Sequence, residues 1–322
     1  MSQFLSNCTA SAMADAAANL LTGGLVAFPT ETVYGLGADA SNADAVARIY
    51  SVKGRPADHP LIVHVESMGG LSEWAEEVPG YAIALARDFW PGPMTLVIKR
   101  SGLAGDFLTG GQNTVGVRVP NHQVALGLLE AFAKAGGKGV AAPSANRFGN
   151  VSPTTALAVA DELGNYLAEN DQILDGGACN VGVESTIINC TGEVPRILRP
   201  GAITAEMIAD STGLEVVEVV EESTIRVSGS LEAHYAPVAT VVLDQSPSAG
   251  QGFIAMADVA EVEGVVRLAS PKTHDEFAKV LYAALRAADE LGLSTVVVAQ
   301  PQGDGIAIAI RDRLNRSSKG RL

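Results

Sequence analysis

The chain has 322 residues, 47% of them hydrophobic, enough for two cores and too apolar for extensive disorder. Its 22 Lys+Arg against 36 Asp+Glu leave a formal net charge of -14, which excludes a broad basic surface for nucleic acid but leaves room for one focused cationic cleft. Three scattered cysteines (Cys8, Cys179, Cys190) exclude a disulfide framework or zinc knuckle, and neither a secretory signal nor an apolar run of membrane-spanning length is present, so a cytoplasmic protein is expected.

An amphipathic helix is predicted over Ser11–Leu21, followed by a strand at Leu25–Phe28 that stops at Pro29. Strands and helices then alternate. Strands are expected at Leu61–Val65, Thr95–Ile98, Val115–Val119, Gly139–Ala142, Ile173–Leu174, Ser185–Asn189 and Arg196–Leu198, and helices at Ala43–Tyr50, Gly80–Phe89, Gln123–Lys134, Thr155–Leu163 and Ile203–Thr212. The last strands follow one another without helices between them, which predicts a mixed sheet. Residues 218–237 lose periodicity and read as a linker between a first domain (1–217) and a smaller α/β domain (238–322), doubly wound in pattern. In that domain strands are expected at Thr240–Leu243, Gly252–Ala255, Gly264–Leu268 and Ser294–Ala299, with a long helix over His274–Leu291.

The chemistry-bearing residues fall at element ends. After the first apolar strand come Thr30, Glu31 and Thr32; His64 closes the next. Lys53 and Arg55, separated by one glycine after a helix, can both enter one pocket and neutralise phosphate oxygens from what reads as an exposed helix end. Thr114 and Arg118 lie four apart on one strand and so face the same side; the arginine needs a carboxylate or phosphate. Ala142, Ser144 and Asn146 sit at a strand end where small residues allow close backbone approach. Ser152 precedes Pro153-Thr154 in what reads as a helix start, a natural anion site. Glu184 and Ser185 open a buried strand, and Arg199 ends the following one. Trp90-Pro91-Gly92-Pro93 reads as structural. There is no GxxxxGK[ST] loop, no G-x-G-x-x-G after the first strand and no G-x-S-x-G elbow, and the five histidines lack metal-ligand spacing.

PTETVYGLG, KGRP, PLIVH, WPGPMTLV, TVGVRVP, APSAN, SPT, GVESTI and ILRPG, in this order, resemble the YrdC-type L-threonylcarbamoyladenylate synthases. HYAP (234–237) and the tail IAIRDRLNRS resemble the long, two-domain form. The resemblance implies a twisted mixed sheet with a large concave cationic pocket. It also implies conversion of L-threonine, bicarbonate and ATP into threonylcarbamoyl-AMP and pyrophosphate, which supplies the machinery that transfers the threonylcarbamoyl group to tRNA. By motif, Thr32, His64, Arg118, the backbone at Ala142 and Ser185 would surround threonine. Arg55, His59, Thr114, Ser144, Asn146, Ser152 and Arg199 would contact ATP, with Lys53 near its phosphates and Mg²⁺ carried on the nucleotide. No protein metal cage is expected. Two positions depart from the family pattern: His59 stands where an asparagine is usual, and Glu232 where a tyrosine is frequent before HYAP.

The pair His234-Tyr235, followed by proline, is more than a tether requires, so the linker is expected to fold over the nucleotide pocket as a lid. The competing reading, an RNA-binding module of the same fold without adenylating activity, is opposed by the net charge.

Overall fold

The structure is a computed structural model of the chain, and it describes residues 4–218, 225–229 and 233–321. Its first part runs β1 (Leu5–Asn7), α1 (Ala10–Leu21), β2 (Val26–Phe28), β3 (Gly35–Asp39), α2 (Ala43–Lys53), β4 (Ile62–His64), α3 (Leu71–Trp74), β5 (Ala75–Glu77), α4 (Gly80–Phe89) and β6 (Met94–Arg100). It continues with α5 (Asp106–Thr109), β7 (Thr114–Arg118), α6 (Gln123–Lys134), β8 (Val140–Ala141), α7 (Ala156–Leu163), β9 (Gln172–Asp175), β10 (Thr186–Asn189), β11 (Arg196–Arg199) and α8 (Ala205–Thr212). Side chains cap the helices where the sequence offers them: Thr9, Asn42, Thr155 and Thr204 each accept an N–H of the first turn.

The strands form one mixed sheet in the order β1-β9-β2-β3-β8-β4-β7-β6-β10-β11, with β5 on β6. Pairs such as β4/β7 and β6/β10 are parallel, while β2/β3, β4/β8, β6/β7 and β10/β11 are antiparallel, as the uneven spacing of helices predicted. Strand alternation divides the apolar residues between two faces. Ala27, Leu36, Val63, Leu96, Val117 and Ile188 turn to the larger core, shared with the buried sides of α2, α4 and α7. On the other face Val26, Phe28, Val140 and Leu174 pack under α1 and α6. Farther along that face, Val97, Ile187 and Leu198 are covered by Val227 with Ile62 and Ile225. The segment read as a polar linker thus has an apolar footprint on the sheet.

The sequence signal missed β3, because Gly35 and Gly37 interrupt its alternation. The packing explains them: a Cβ at Gly37 would lie 2.8 Å from Val140 and 2.9 Å from Phe28.

The second part holds β12 (Thr240–Leu243), β13 (Gly252–Ile254), β14 (Val266–Ala269), α9 (His274–Glu290), β15 (Thr295–Val298) and α10 (Ile306–Ser317). Its sheet, β12-β15-β13-β14, is parallel throughout, as expected. Both helices pack on one face of it, against Val241, Ile254, Val296 and Val298. Phe253, Ala255 and Val297 cluster on the other face, where the helical layer of a doubly wound unit is absent among the described residues. The reason is local: the segments 244–251 and 255–265, which would carry that layer, are turn-rich loops.

The two parts share a core. Val33, Val151 and Val183 of the first join Phe277, Leu281 and Leu314 of the second, together with Tyr235. At Gly182 (φ +84) the backbone passes so near α9 that a Cβ would sit 2.4 Å from the Ala278 carbonyl oxygen. No helix among the described residues is long and apolar enough to cross a membrane.

Candidate active site

A cavity opens on the sheet face that α1 and α6 leave uncovered. It is lined by the ends of several strands (Thr30, Thr32, Gly35, His64, Arg118, Ala142, Ser144), by Glu184, Ser185 and Arg199, by Arg55, and by Ser228, Gly229, His234 and Tyr235 as a roof. The reason these residues meet is topological. Parallel pairing sets His64 beside Arg118 on neighbouring strands, and antiparallel pairing of β8 brings Ala142 to Ile62, whose carbonyl accepts its N–H at 3.0 Å. That bond leaves the carbonyl as the only polar backbone group Ala142 can offer a ligand.

Arg118 is held by three partners, one of them the Gly92 carbonyl, to which its Nε donates at 3.3 Å. Its Nη2 lies 2.8 Å from Glu31 Oε1, an ion pair whose angle is not that of a hydrogen bond, and both side chains are buried. The same nitrogen donates to Thr32 Oγ1 at 3.1 Å. Thr30 Oγ1 spends its proton on the Val33 carbonyl (2.7 Å), so the 2.8 Å contact between Thr30 and Thr32 hydroxyls runs with Thr32 as donor. Ser185 Oγ lies 2.8 Å from Thr95 Oγ1 and accepts from Arg199 Nη2 at 3.1 Å. Arg199 also grips the Ser185 carbonyl through Nε and Nη2 (3.1 and 2.9 Å) and the Ser228 carbonyl through Nη1 (2.8 Å). Arg55 Nη2 donates to the Pro60 carbonyl and to Ser228 Oγ at 3.0 and 3.2 Å, while its buried Nε has no partner. Two of the three arginines therefore hold the roof.

Burial lowers the pKa of both guanidinium groups, that of Arg55 to about 10 with Arg199 adding to the effect, that of Arg199 with Arg313 adding to it, and both stay charged at neutral pH. Burial, reinforced by Arg118, pushes His64 down to about 3, and burial does the same to His234. Both imidazoles are neutral, and each has an unpartnered Nδ1. Burial alone would raise the Glu184 carboxyl, but Arg313 and Arg199 overcome it and hold the group at about 2. Three guanidinium groups and one carboxylate thus line the cavity.

Five residues expected at the site do not line this cavity. Lys53 is 2% exposed, not at a solvated helix end. Gly54 adopts a left-handed C-cap (φ 63), which turns Arg55 toward the cavity while Lys53 Nζ donates to the carbonyls of Ser144 and Asn146 at 2.6 and 2.5 Å. Burial, then Arg55, pushes its pKa well down. Asn146 donates to the carbonyls of Arg147 and Asn150, bracing the same loop. Ser152 is fully buried and donates to Glu184 Oε1 at 2.7 Å; helix α7 starts later, capped by Thr155, so Ser152 is not at a helix N-terminus. His59 lies off the cavity, edge-on to Phe148 with ring centroids 5.4 Å apart. Thr114 faces the same side as Arg118 but lies under residues 226–228, in a small adjoining cleft. Glu232 lies outside the described residues.

Thr30, Glu31 and Glu184, noted in the sequence as chemistry-bearing residues at element ends but given no substrate role, belong to the site, and so does Ser228, which the sequence did not single out. The signal for Glu184 was present, a carboxylate opening a buried strand. Ser228, in an aperiodic segment, gave none.

Residues 18–201 match a family model described as Telomere recombination, that of the Sua5, YciO and YrdC proteins, and residues 203–319 match one described as Threonylcarbamoyl-AMP synthase, C-terminal domain. The chain belongs to the Sua5/YciO/YrdC family. It is of the long Sua5 form, since both models match in series. Threonylcarbamoyl-AMP synthase of Pyrococcus abyssi is 37% identical over 326 residues, covering 95% of this chain and 94% of that one. The Bacillus subtilis enzyme of the same name is 37% identical over 331 residues, covering 96% and 94%. The crystal structure of P. abyssi Sua5 complexed with L-threonine is similar at TM-score 0.87 and 36% identity, covering 98% of this chain and 97% of that one.

Proposed function

We propose that the cavity is the active site of a threonylcarbamoyl-AMP synthase, which joins L-threonine, bicarbonate and ATP into threonylcarbamoyl-AMP with release of pyrophosphate. The observation that supports it most is the joining of three buried arginines to a cluster of buried hydroxyls on one sheet face, in a chain alike over its whole length to a Sua5 structure that holds L-threonine. Hydroxyls and Arg118 suit the hydroxyl and carboxylate of threonine; Arg55 and Arg199 suit phosphate oxygens.

Thr32, His64, Arg118, the Ala142 carbonyl and Ser185 form the threonine side of this reading, and Arg55, Ser144 and Arg199 the nucleotide side. Lys53, Asn146 and Ser152 act by holding the loop and wall that present those groups. The neutral amine of threonine attacks the carbon of bicarbonate and gives up a proton as water leaves, and the resulting carbamate oxygen attacks the α-phosphorus as pyrophosphate leaves. No protein nucleophile is needed; fixed cations in a site shielded from water supply the acceleration.

Among the described residues no group of three or more His, Cys, Asp or Glu could cage a metal ion. Mg²⁺ enters this reading as part of the nucleotide complex, carried on the phosphates.

The space left inside is about 50 Å³, room for a few waters and far below the roughly 300–1,000 Å³ of small-molecule sites. Substrates must displace the roof at Ser228–Gly229 and His234–Tyr235, and these four residues then close as a lid over a hydrolysable adenylate. The product would pass to the machinery that transfers the threonylcarbamoyl group to tRNA, in the cytoplasm, a compartment that suits three free thiols.

Incubation with L-threonine, bicarbonate and Mg-ATP tests the reading: pyrophosphate release that requires all three, with a product of threonylcarbamoyl-adenylate mass, is expected. Tight, salt-sensitive tRNA binding without turnover would instead establish the RNA-binding alternative.

A further inference from the structure

Among the described residues none beyond Tyr235 lines the cavity, yet two side chains of the second part, Arg313 and Tyr282, reach its wall from behind. Arg313 on α10 is 0% exposed. Its Nε donates to Glu184 Oε2 at 2.8 Å, and its Nη2 to the Glu184 carbonyl at 3.4 Å. Tyr282 Oη on α9 donates to the same Oε2 at 2.9 Å, and Ser152 Oγ to Oε1. The guanidinium carbon of Arg313 also lies 5.5 Å from the centre of the Tyr235 ring, which stacks on Tyr282 at 5.7 Å. Tyr235 takes a positive φ of 61°, a conformation a tyrosine keeps only where its surroundings impose it. Asp312 Oδ2, 2.6 Å from Arg313 Nη1, fixes the guanidinium from the remaining side.

We infer that Arg313 is a positioning residue for the pocket: it holds the Glu184–Ser185 wall and the Tyr235 roof in a single register. Mere adhesion between the two parts accounts poorly for it. Val33, Val151, Val183 and the buried faces of α9 and α10 already glue them, and burying a guanidinium there is costly where an apolar residue of similar volume would pack as well. The contacts are instead spent on a side chain and a peptide that border the cavity. Glu184 is followed by Ser185, whose carbonyl and hydroxyl are gripped by Arg199. Displacing Glu184 therefore moves Ser185 and the arginine that reaches the roof. The inference rests on the threonylcarbamoyl-AMP synthase reading, and the second part acts on catalysis without touching substrate.

The test is steady-state kinetics of the full chain with L-threonine, bicarbonate and Mg-ATP across pH 5–9, with melting temperatures measured alongside. The variants are Arg313→Met, Arg313→Lys, Tyr282→Phe, the double variant Arg313→Met/Glu184→Gln, and Leu285→Ala as a control in the same core. Arg313→Met is expected to lower kcat/KM for threonine and for ATP by roughly 10- to 100-fold, the cost of a misplaced wall. It also leaves Glu184 buried without its nearest cation. The groups still facing the carboxylate would be Tyr282, Ser152, Arg199, Tyr235 and His234, with Asp312 beyond. Protonation of Glu184 then rises into the assay range, and an acid limb appears above about pH 5. The double variant lacks that limb, and Arg313→Lys, which returns the charge, recovers part of the rate and suppresses it. Leu285→Ala melts earlier with unchanged kinetics at 25 °C.

Arg313→Met with wild-type kinetics and a flat profile would overturn the inference, as would losses that follow melting temperature along the Leu285→Ala trend. If Arg313→Met does not fold, Arg313→Lys and Tyr282→Phe carry the test: raised KM values at near-normal melting temperature support it, and wild-type constants in both sink it. An inactive wild-type chain would fail the functional reading instead, a different result.

Discussion

Replacing Lys53 with Met separates a lysine that binds phosphate from one that holds a loop. Methionine keeps the length of the stem and fills most of the space, so the change is confined to the ammonium. Its two acceptors, the Ser144 and Asn146 carbonyls at 2.6 and 2.5 Å, lose their donor at a site with 2% exposure. Each unpaired acceptor costs about 1–3 kcal/mol, and removal of a desolvated cation offsets part of the sum, leaving a net loss of about 2–4 kcal/mol. For a chain of this size that is a drop in Tm of roughly 4–8 °C. Turnover should fall more mildly, about tenfold, because Ser144 lines the cavity and its loop is loosened. Differential scanning calorimetry and pyrophosphate release on the same preparation measure both. A phosphate contact predicts the reverse: loss of a transition-state donor is worth roughly 100- to 1,000-fold in rate with little stability change. A variant that melts within a degree of wild type yet loses a hundredfold in rate would refute the positional reading of Lys53.

The remaining predictions concern stability against pH, selectivity and the roof. His64 and His234 have folded pKa values of about 3, below the unfolded value near 6.5, so the unfolded chain binds protons the folded one does not; stability present above pH 6.5 is lost as pH falls toward 3, at up to about 1.4 kcal/mol per pH unit for each histidine. Urea unfolding of His64→Gln at pH 7, 6 and 5 should show a slope shallower by about one proton, and a slope equal to wild type would place His64 in a protonated state. Valine should compete with threonine less well than serine does, because its methyl in place of the hydroxyl leaves buried pocket hydroxyls unpaired whereas serine forfeits only a methyl; equal acceptance in a competition assay would contradict the hydroxyl-lined pocket. At Gly229 (φ +81) a Cβ would fall 2.2 Å from Tyr235 Oη and 3.3 Å from Arg199 Nη1. Gly229→Ala should therefore raise KM for ATP severalfold by lifting the roof, and an unchanged KM would show that the roof does not bear on nucleotide binding.

The longer elements up to the strand at Thr295–Val298 and many residues at strand ends were legible in the sequence because they depend on local chemistry, while short elements such as Leu5–Asn7 and Ala75–Glu77, and the last helix, Ile306–Ser317, were not. Apolar alternation set Leu61–Val65 and Val115–Val119 as strands, and the period of two put Thr114 and Arg118 on one side. Caps and glycine punctuation bounded the helices to within a few residues. What escaped that reading depended on partners distant in the chain. Lys53 and Arg55 look equivalent in sequence, and only the left-handed turn at Gly54, with the loop 91 residues later that captures Lys53, divides them into a hidden strut and a pocket arginine. The strand at Gly35–Asp39 is hidden in its glycines, which make sense only once Val140 and Phe28 stand against them. Arg313 interrupts the apolar face of its helix and looks like an ordinary tail residue. Its role arises from a carboxylate 129 positions earlier, a pairing made where two cores meet and one that no local period of the sequence can encode.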